Sequence, residues 1–131
     1  MSVEAHIQAI RTRLLADTTI ISHNIIREQS TAPIGQMRAR LTFIDGSWLE
    51  FSEVVRKEES GDVQTVAYSY HWMGADNQLR MRWDNAEHYP DLPNFPHHLH
   101  AGDEKNVLPG EPMNLFKVLD YIAETFKKST T

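Results

Sequence analysis

Residues 37–57, MRARLTFIDGSWLEFSEVVRK, decide the fold class because they hold two strand patterns joined by a turn signal. Apolar side chains occupy every second position from Met37 to Phe43, as in a strand with one buried face. Asp45-Gly46 then marks a hairpin, and the chain returns over residues 47–57. The stretch therefore predicts an antiparallel hairpin at the centre of an antiparallel sheet.

The positions of the apolar residues also predict the register of this hairpin. A two-residue turn would mix apolar and polar side chains on each face, whereas a three-residue loop with its glycine left-handed keeps them apart. The longer loop pairs Leu41 with Leu49 and Arg40 with Glu50. Because a cross-strand ion pair explains Arg40 without a functional role, we expect Arg38 and Arg40 to decorate a solvated face.

The remaining elements follow on either side of the hairpin. The predicted elements are a helix over Val3–Ala16, strands over Thr18–Gln29, 37–43, 47–57, Val63–Trp72 and Gln78–Asp84, and a helix that begins near Pro112. Residues 85–110 carry four prolines and no sustained periodicity, which is typical of a long functional loop. We therefore expect an α+β fold in a single domain over residues 1–131. It consists of an N-terminal helix, a five-strand antiparallel meander, a long His/Pro-rich loop and a C-terminal helix, with both helices on one sheet face.

Composition excludes several classes of protein. The 131 residues include no cysteine, so disulfides, thiolate zinc sites and cysteine nucleophiles are excluded. The net charge of −5 argues against a general coat for nucleic acid. No apolar run approaches the ~20 residues of a membrane helix, and we expect a cytoplasmic protein. The fingerprints of dinucleotide sites, P-loops, nucleophile elbows and EF-hands are absent, so we expect no cofactor.

Histidines accumulate beside the last predicted strand. Four of the seven lie between His88 and His100, and histidine is the side chain that exchanges protons near neutral pH. Matching the apolar faces of the fourth and fifth strands pairs Trp72 with Leu79. This register places His71 opposite Arg80, and Ser69 opposite Arg82.

These residue types fit metal-independent cleavage of RNA. That reaction needs a base for the ribose 2′-hydroxyl, an acid for the leaving oxygen and cations around the phosphate. The histidines of residues 97–100 would fold over the exposed sheet face as a lid, and Asp84 would orient an imidazole. The expected catalytic residues are His71, Arg82, Asp84, His97, His98 and His100, and the expected substrate-binding residues are Ser69, Arg80 and His88.

Two other interpretations stay open. The first is a metal-binding enzyme or module built on His97-His98-x-His100. The oxygen and nitrogen partners available to it are Asp84, His88, Asp91 and Asp103. The second is a non-enzymatic domain that binds a protein partner and whose histidines are structural. Asp84 also has a purely structural explanation, which is capping of the turn at Asn85-Ala86.

Three motifs in order give the chain a family resemblance. The runs YSYHW (68–72), RWDNA (82–86) and FPHHLH (95–100), followed by a short helix, resemble the TumE family. Its members are toxins of bacterial toxin–antitoxin pairs, usually encoded beside a helix-turn-helix antitoxin. The resemblance implies a toxin with ribonuclease activity and such an antitoxin as partner.

The motifs carry His71, Arg82, Asp84, His88, His97, His98 and His100. The chain departs from the family pattern at Tyr89, where a second histidine is expected, and at Glu87, where a proline is expected. This departure weakens any role that needs a histidine pair at residues 88–89. Whether the chain forms a homodimer through an edge strand is left open by the sequence.

Overall fold

The computed structural model describes residues 2–31 and 33–129. Its elements are α1 (Val3–Ala16), β1 (Ile20–Ser30), β2 (Ile34–Phe43), β3 (Trp48–Lys57), β4 (Val63–Met73), β5 (Leu79–Asp84), β6 (His98–Ala101), β7 (Val107–Pro109) and α2 (Leu115–Ser129). The strands form one antiparallel sheet in sequence order from β1 to β7. The expected α+β class is confirmed. None of the helices in this described part of the chain is long and apolar enough to cross a membrane.

The expected strand count of five is wrong, because the described sheet has seven strands. The two additional strands, β6 and β7, lie inside the stretch of residues 85–110 that the sequence predicts as a loop. They are only four and three residues long. In β6 the buried residues are His98 and His100, whereas the apolar Leu99 and Ala101 are only partly buried, so the pattern is the reverse of a half-buried strand.

The central hairpin has the predicted register. Leu41 lies opposite Leu49 and Arg40 opposite Glu50. Gly46 has φ +84°, which is the left-handed conformation that a three-residue loop requires of its last residue. The N-terminal helix also has its predicted bounds, and the Ser2 hydroxyl accepts a hydrogen bond from the Ala5 N–H at 3.0 Å as its cap.

The register predicted between β4 and β5 is wrong. Trp72 lies opposite Met81 and Met73 opposite Leu79, so Arg80 is the extra residue of a β-bulge. The Met73–Leu79 pair already differs from the prediction by one residue and the bulge adds one more, so every later pair is shifted by two. His71 therefore faces Arg82 rather than Arg80.

Both helices cover the same face of the sheet, as expected. Their apolar side chains join those of the central strands in one core. The members from the helices are Ile7, Ile10, Leu14, Leu115, Val118, Leu119 and Ile122. The four aromatic side chains Tyr68, Tyr70, Trp72 and Trp83 are buried in this core, so they are packing residues.

A buried carboxylate joins the sheet to both helices. Glu53 accepts hydrogen bonds from the Tyr70 hydroxyl at 2.7 Å and from the Leu115 N–H at the start of α2 at 3.1 Å. The His6 Nε2 atom of α1 lies 3.1 Å from the same carboxylate. Burial raises the pKa of Tyr70 well above its ordinary value, and the Glu53 carboxylate raises it further, so the hydroxyl keeps its proton. The helices are therefore fixed on the face opposite the candidate site.

Candidate active site

Two rows of polar side chains cross the sheet face that the helices leave open. The first row follows the register from β2 to β6 through Arg40, Glu50, His71, Arg82 and His100. The second row lies beside it and consists of Arg38, Ser52, Ser69, Asp84 and His98. Because directly opposed residues of antiparallel strands point to the same face, the two rows bring residues from five strands into one surface.

Strands β5 and β6 hold a buried polar group made of Asp84, His98 and His100. These residues are 4 %, 2 % and 6 % exposed. One carboxylate oxygen of Asp84 lies 2.9 Å from His98 Nε2, and the other lies 3.8 Å from His100 Nε2. Asp84 also accepts a hydrogen bond from the Ala86 N–H at 3.1 Å, which confirms its predicted role in capping the turn. It therefore has a structural function whatever else it does.

The histidine rings of this buried group are held from behind by backbone carbonyls. His98 Nδ1 lies 3.0 Å from the Pro96 carbonyl oxygen, and His100 Nδ1 lies 2.8 Å from that of Glu104. Because a carbonyl oxygen can only accept, each Nδ1 carries a hydrogen. The tautomer and the orientation of both rings are thereby determined, with Nε2 directed at Asp84.

The outer part of the site is formed by His71, Arg82 and Glu104. The Glu104 carboxylate lies 3.8 Å from His71 Nε2 and 3.6 Å from Arg82 Nη1. Arg82 Nε is 3.2 Å from the Asp84 carboxylate, which links the outer and buried groups. His71 and Arg82 remain about one-third exposed, so both can meet a substrate.

A shallow cleft opens beside His71 and Arg82. Its volume is about 160 Å³ and its lining includes Arg38, Glu50, Ser52, Ser69, His71 and Arg82. Sites for drug-sized molecules usually have ~300–1,000 Å³, so this cleft is too small to enclose one. The cleft suits one small charged group of a larger ligand, and the rest of that ligand would lie across the open sheet face.

Burial lowers the pKa of His71, and the neighbouring Arg82 guanidinium lowers it further. The carboxylates of Glu104 and Glu50 act in the opposite direction, while His100 adds to the lowering. The net shift is downward from the ordinary value of 6.5. His71 is therefore neutral at neutral pH and can accept a proton.

Arg38 and Arg40 lie on the open face, and Arg40 pairs with Glu50, as the sequence predicts. Both are exposed and form ion pairs with Glu50, at 2.9 Å for Arg38 and 3.8 Å for Arg40. The Arg40 guanidinium also lies over the Trp48 ring, 4.0 Å from its centroid. Trp48 lies beside His71, with ring centroids 6.3 Å apart.

The structure brings six of the nine expected site residues together. They are Ser69, His71, Arg82, Asp84, His98 and His100. The expected lid is wrong in one respect, because His98 and His100 lie within strand β6 and extend the sheet rather than fold over it.

The other three expected site residues lie elsewhere. His97 points to the helix side, where its Nδ1 is 2.7 Å from the Tyr68 hydroxyl and its ring stacks on that tyrosine. Arg80 pairs with Asp45 at 2.7 Å and lies over the Trp72 ring, since the bulge removes it from the row. His88 is exposed in the loop after β5.

Sequence reasoning missed two residues of this region. Glu104 contacts three site side chains from the turn between β6 and β7, and only a prediction of those strands could have located it. The ring of Tyr89 packs edge-on against His98 and His100, with centroid distances of 5.2 and 6.3 Å. The position where the chain departs from the family pattern therefore borders the buried histidines.

Comparison with known proteins gives one family. The family model described as Toxin TumE matches residues 11–126. Neither the curated proteins nor the solved structures give a match. The matched stretch spans α1 from its middle onward, the whole sheet and most of α2, and it includes every residue of the two rows. This chain therefore belongs to the TumE toxin family.

Proposed function

We propose that this protein is a cytoplasmic toxin that cleaves RNA and is neutralised by a cognate helix-turn-helix antitoxin. Membership of the TumE toxin family supports a role as a toxin, and a toxin family also implies a cognate antitoxin partner. The observation that carries the reaction is the position of His71, directly opposite Arg82 at the opening of the small cleft.

The cleft fits a phosphate group of an RNA strand. Arg82 offers a planar array of N–H donors and a permanent positive charge, the combination that suits phosphate oxygens. The Asp84 carboxylate lies behind the guanidinium, 3.2 Å from Nε. Ser69 adds a hydroxyl to the lining of the same cleft. A phosphate held there would lie next to the His71 ring.

His71 is the proposed general base. Its neutral ring accepts the proton of the ribose 2′-hydroxyl, whose oxygen attacks phosphorus while the bond from phosphorus to the 5′-oxygen breaks. The 5′-oxygen leaves with a proton from water, and the products are a 2′,3′-cyclic phosphate and a 5′-hydroxyl. Arg82 stabilises the charge that develops on the non-bridging oxygens.

The rest of the open face offers contacts for the flanking nucleotides. Arg38 and Arg40 line the path from the cleft towards β2, and their charge favours the phosphate backbone. The guanidinium of Arg40 stacks on Trp48 at 4.0 Å, so a base can stack on its outer side. The three arginines of this face, Arg38, Arg40 and Arg82, are balanced by the carboxylates of Glu50, Asp84 and Glu104, so the face is close to neutral in a chain whose net charge is −5.

Synthetic RNA oligonucleotides with one 2′-deoxy substitution test this proposal. We expect the purified protein to cut the all-ribose strand in EDTA, and to spare the bond that follows the deoxynucleotide, because the attacking hydroxyl is missing there. Mass spectrometry of the products should detect the cyclic phosphate. Cleavage that continues at the deoxy position, or products with a 5′-phosphate, would contradict the proposal.

A further inference from the structure

The buried group of Asp84, His98 and His100 on β5 and β6 has the composition of a metal site. Asp84, His98 and His100 each offer one ligand atom, and the three atoms lie within 4.8 Å of one another. They come from the adjacent strands β5 and β6, in directly opposed or neighbouring register positions. Because the three ligand atoms lie so close together, we propose that these residues bind one Zn²⁺ ion. The proposal does not depend on RNA cleavage.

The orientation of the two imidazole rings is the main argument. Both Nδ1 atoms donate to backbone carbonyls, at 3.0 Å for His98 and 2.8 Å for His100, so in the metal-binding form of each ring, which has no hydrogen on Nε2, the lone pair is at Nε2. Metal-bound histidines usually have their second nitrogen held in this way. The Nε2 atoms face the Asp84 carboxylate at 2.9 and 3.8 Å, and in that form acceptor lies against acceptor. A cation between them turns this repulsion into attraction.

A single metal ion meets this need better than protons on both rings. Two imidazolium charges would lie beside the Arg82 guanidinium around one carboxylate, and buried charges are costly unless each is paired. In a tetrahedral zinc site with bonds of 2.0–2.1 Å, the ligand atoms are about 3.4 Å apart. The distances of 2.9 and 3.8 Å run to different oxygens of Asp84, and one ligand atom from each of the three residues lies within 4.8 Å of the other two, so modest side-chain movements suffice.

The donor set selects the kind of cation. Two imidazoles and one carboxylate suit Zn²⁺ and similar transition metals, whereas Mg²⁺ and Ca²⁺ prefer oxygen ligands. The Tyr89 ring covers the histidine pair from the loop side, 5.2 Å from His98, and limits access of water. The ion would join β5 to β6, the strands that carry Arg82 and His100.

Arg82 is the group that competes with the metal. Its Nε atom is buried beside the Asp84 carboxylate at 3.2 Å but makes no aligned hydrogen bond. A cation that displaces it therefore removes only a weak contact. The Glu104 carboxylate, 3.6 Å from Nη1, can receive the displaced guanidinium.

Titration of the EDTA-stripped protein with ZnCl₂ by calorimetry tests the proposal, and Co²⁺ provides a visible spectrum of tetrahedral coordination. We expect one equivalent to bind and the melting temperature to rise with Zn²⁺ concentration. His98→Gln and His100→Gln should each weaken binding at least about tenfold, as loss of a supporting group alone commonly does. His23→Gln, at an exposed position on β1, is the matched control and should bind normally.

Arg82→Gln keeps the test decisive if a buried variant fails to fold. Arg82 is partly exposed, and its removal should tighten Zn²⁺ binding because it takes a competing charge away from the carboxylate. The absence of stoichiometric binding by the wild type would overturn the proposal, as would equal loss in the His23 control or weaker binding by Arg82→Gln. None of these results depends on RNA, so a failed metal site and a failed ribonuclease are distinguishable.

Discussion

The Nε2 atom of His98 lies 2.9 Å from a carboxylate oxygen of Asp84, and both side chains are almost completely buried. This pair joins β5 to β6 on the side of the sheet opposite the helices. It forms the inner wall of the candidate site, whereas His71 and Arg82 form the accessible part. The site thus consists of a fixed inner group and an outer pair that can meet a substrate.

The first prediction concerns the stability contributed by Asp84. Asp84→Ala should lower the free energy of unfolding by about 1–3 kcal/mol, because it leaves buried polar groups of its neighbours, including Arg82 Nε, without their counterpart. The variant also loses the hydrogen bond to the Ala86 N–H. Urea denaturation followed by circular dichroism measures the change. Asp91→Ala, in the exposed loop after β5, is the control and should be nearly neutral; an equal effect of both variants would refute the structural role.

The second prediction concerns the titration of His71. Its pKa is lowered by burial and by Arg82, and raised by Glu104. Glu104→Gln should therefore lower the pKa further, and Arg82→Gln should raise it. Histidine NMR titrations measure both shifts. Glu59→Gln, in the exposed turn between β3 and β4, should leave the pKa unchanged, and a shift of the opposite sign in either site variant would contradict the assigned geometry.

The same shift of His71 predicts how stability depends on pH. Because the folded pKa is below the ordinary value of 6.5, the unfolded chain binds more protons than the folded one as the pH falls through this range. His71 therefore contributes stability that is lost on acidification below about 6.5. Replacement by Asn should flatten the pH dependence of the urea midpoint in this range, and an unchanged slope would count against the burial of the ring.

The fourth prediction concerns the carboxylate that joins the helices to the sheet. Tyr70→Phe removes a hydrogen bond of 2.7 Å to Glu53, and bonds to charged groups contribute about 1.5–3 kcal/mol. We expect a loss of that size in the free energy of unfolding, with RNA cleavage retained, since this network lies on the other face. Tyr121→Phe, at a ring that is 44 % exposed, should cost much less. A cleavage defect in folded Tyr70→Phe would mean that the two faces are coupled.

The sequence predicts the fold well where patterns of period two meet a glycine turn. The register of the β2–β3 hairpin follows from keeping apolar and polar faces apart, and the structure has it. The β4–β5 register could not be predicted in the same way. A bulge at Arg80 inserts one residue, and nothing in the alternation of residues 78–84 indicates which position is unpaired.

The candidate site is harder to predict because its inner half contradicts the usual hydrophobic pattern. His98 and His100 are buried while Leu99 between them is only partly buried. Because the polar residues take the buried positions, the sequence of β6 does not predict a strand. The enrichment in histidine located the region, but the pairing with Asp84 depends on register and on tertiary contacts. His97 shares the same motif and faces the opposite side, since neighbouring residues of a strand alternate.

The difference between His71 and His97 provides the most direct test of the proposed function. We predict that His71→Ala lowers the rate of RNA cleavage in EDTA by ~10²–10⁴-fold, the usual contribution of a general base. His97→Ala should keep the rate within about twofold of wild type, because its ring stacks on Tyr68 on the helix side. Equal rates for wild type and folded His71→Ala, or no cleavage by the wild type, would contradict the account.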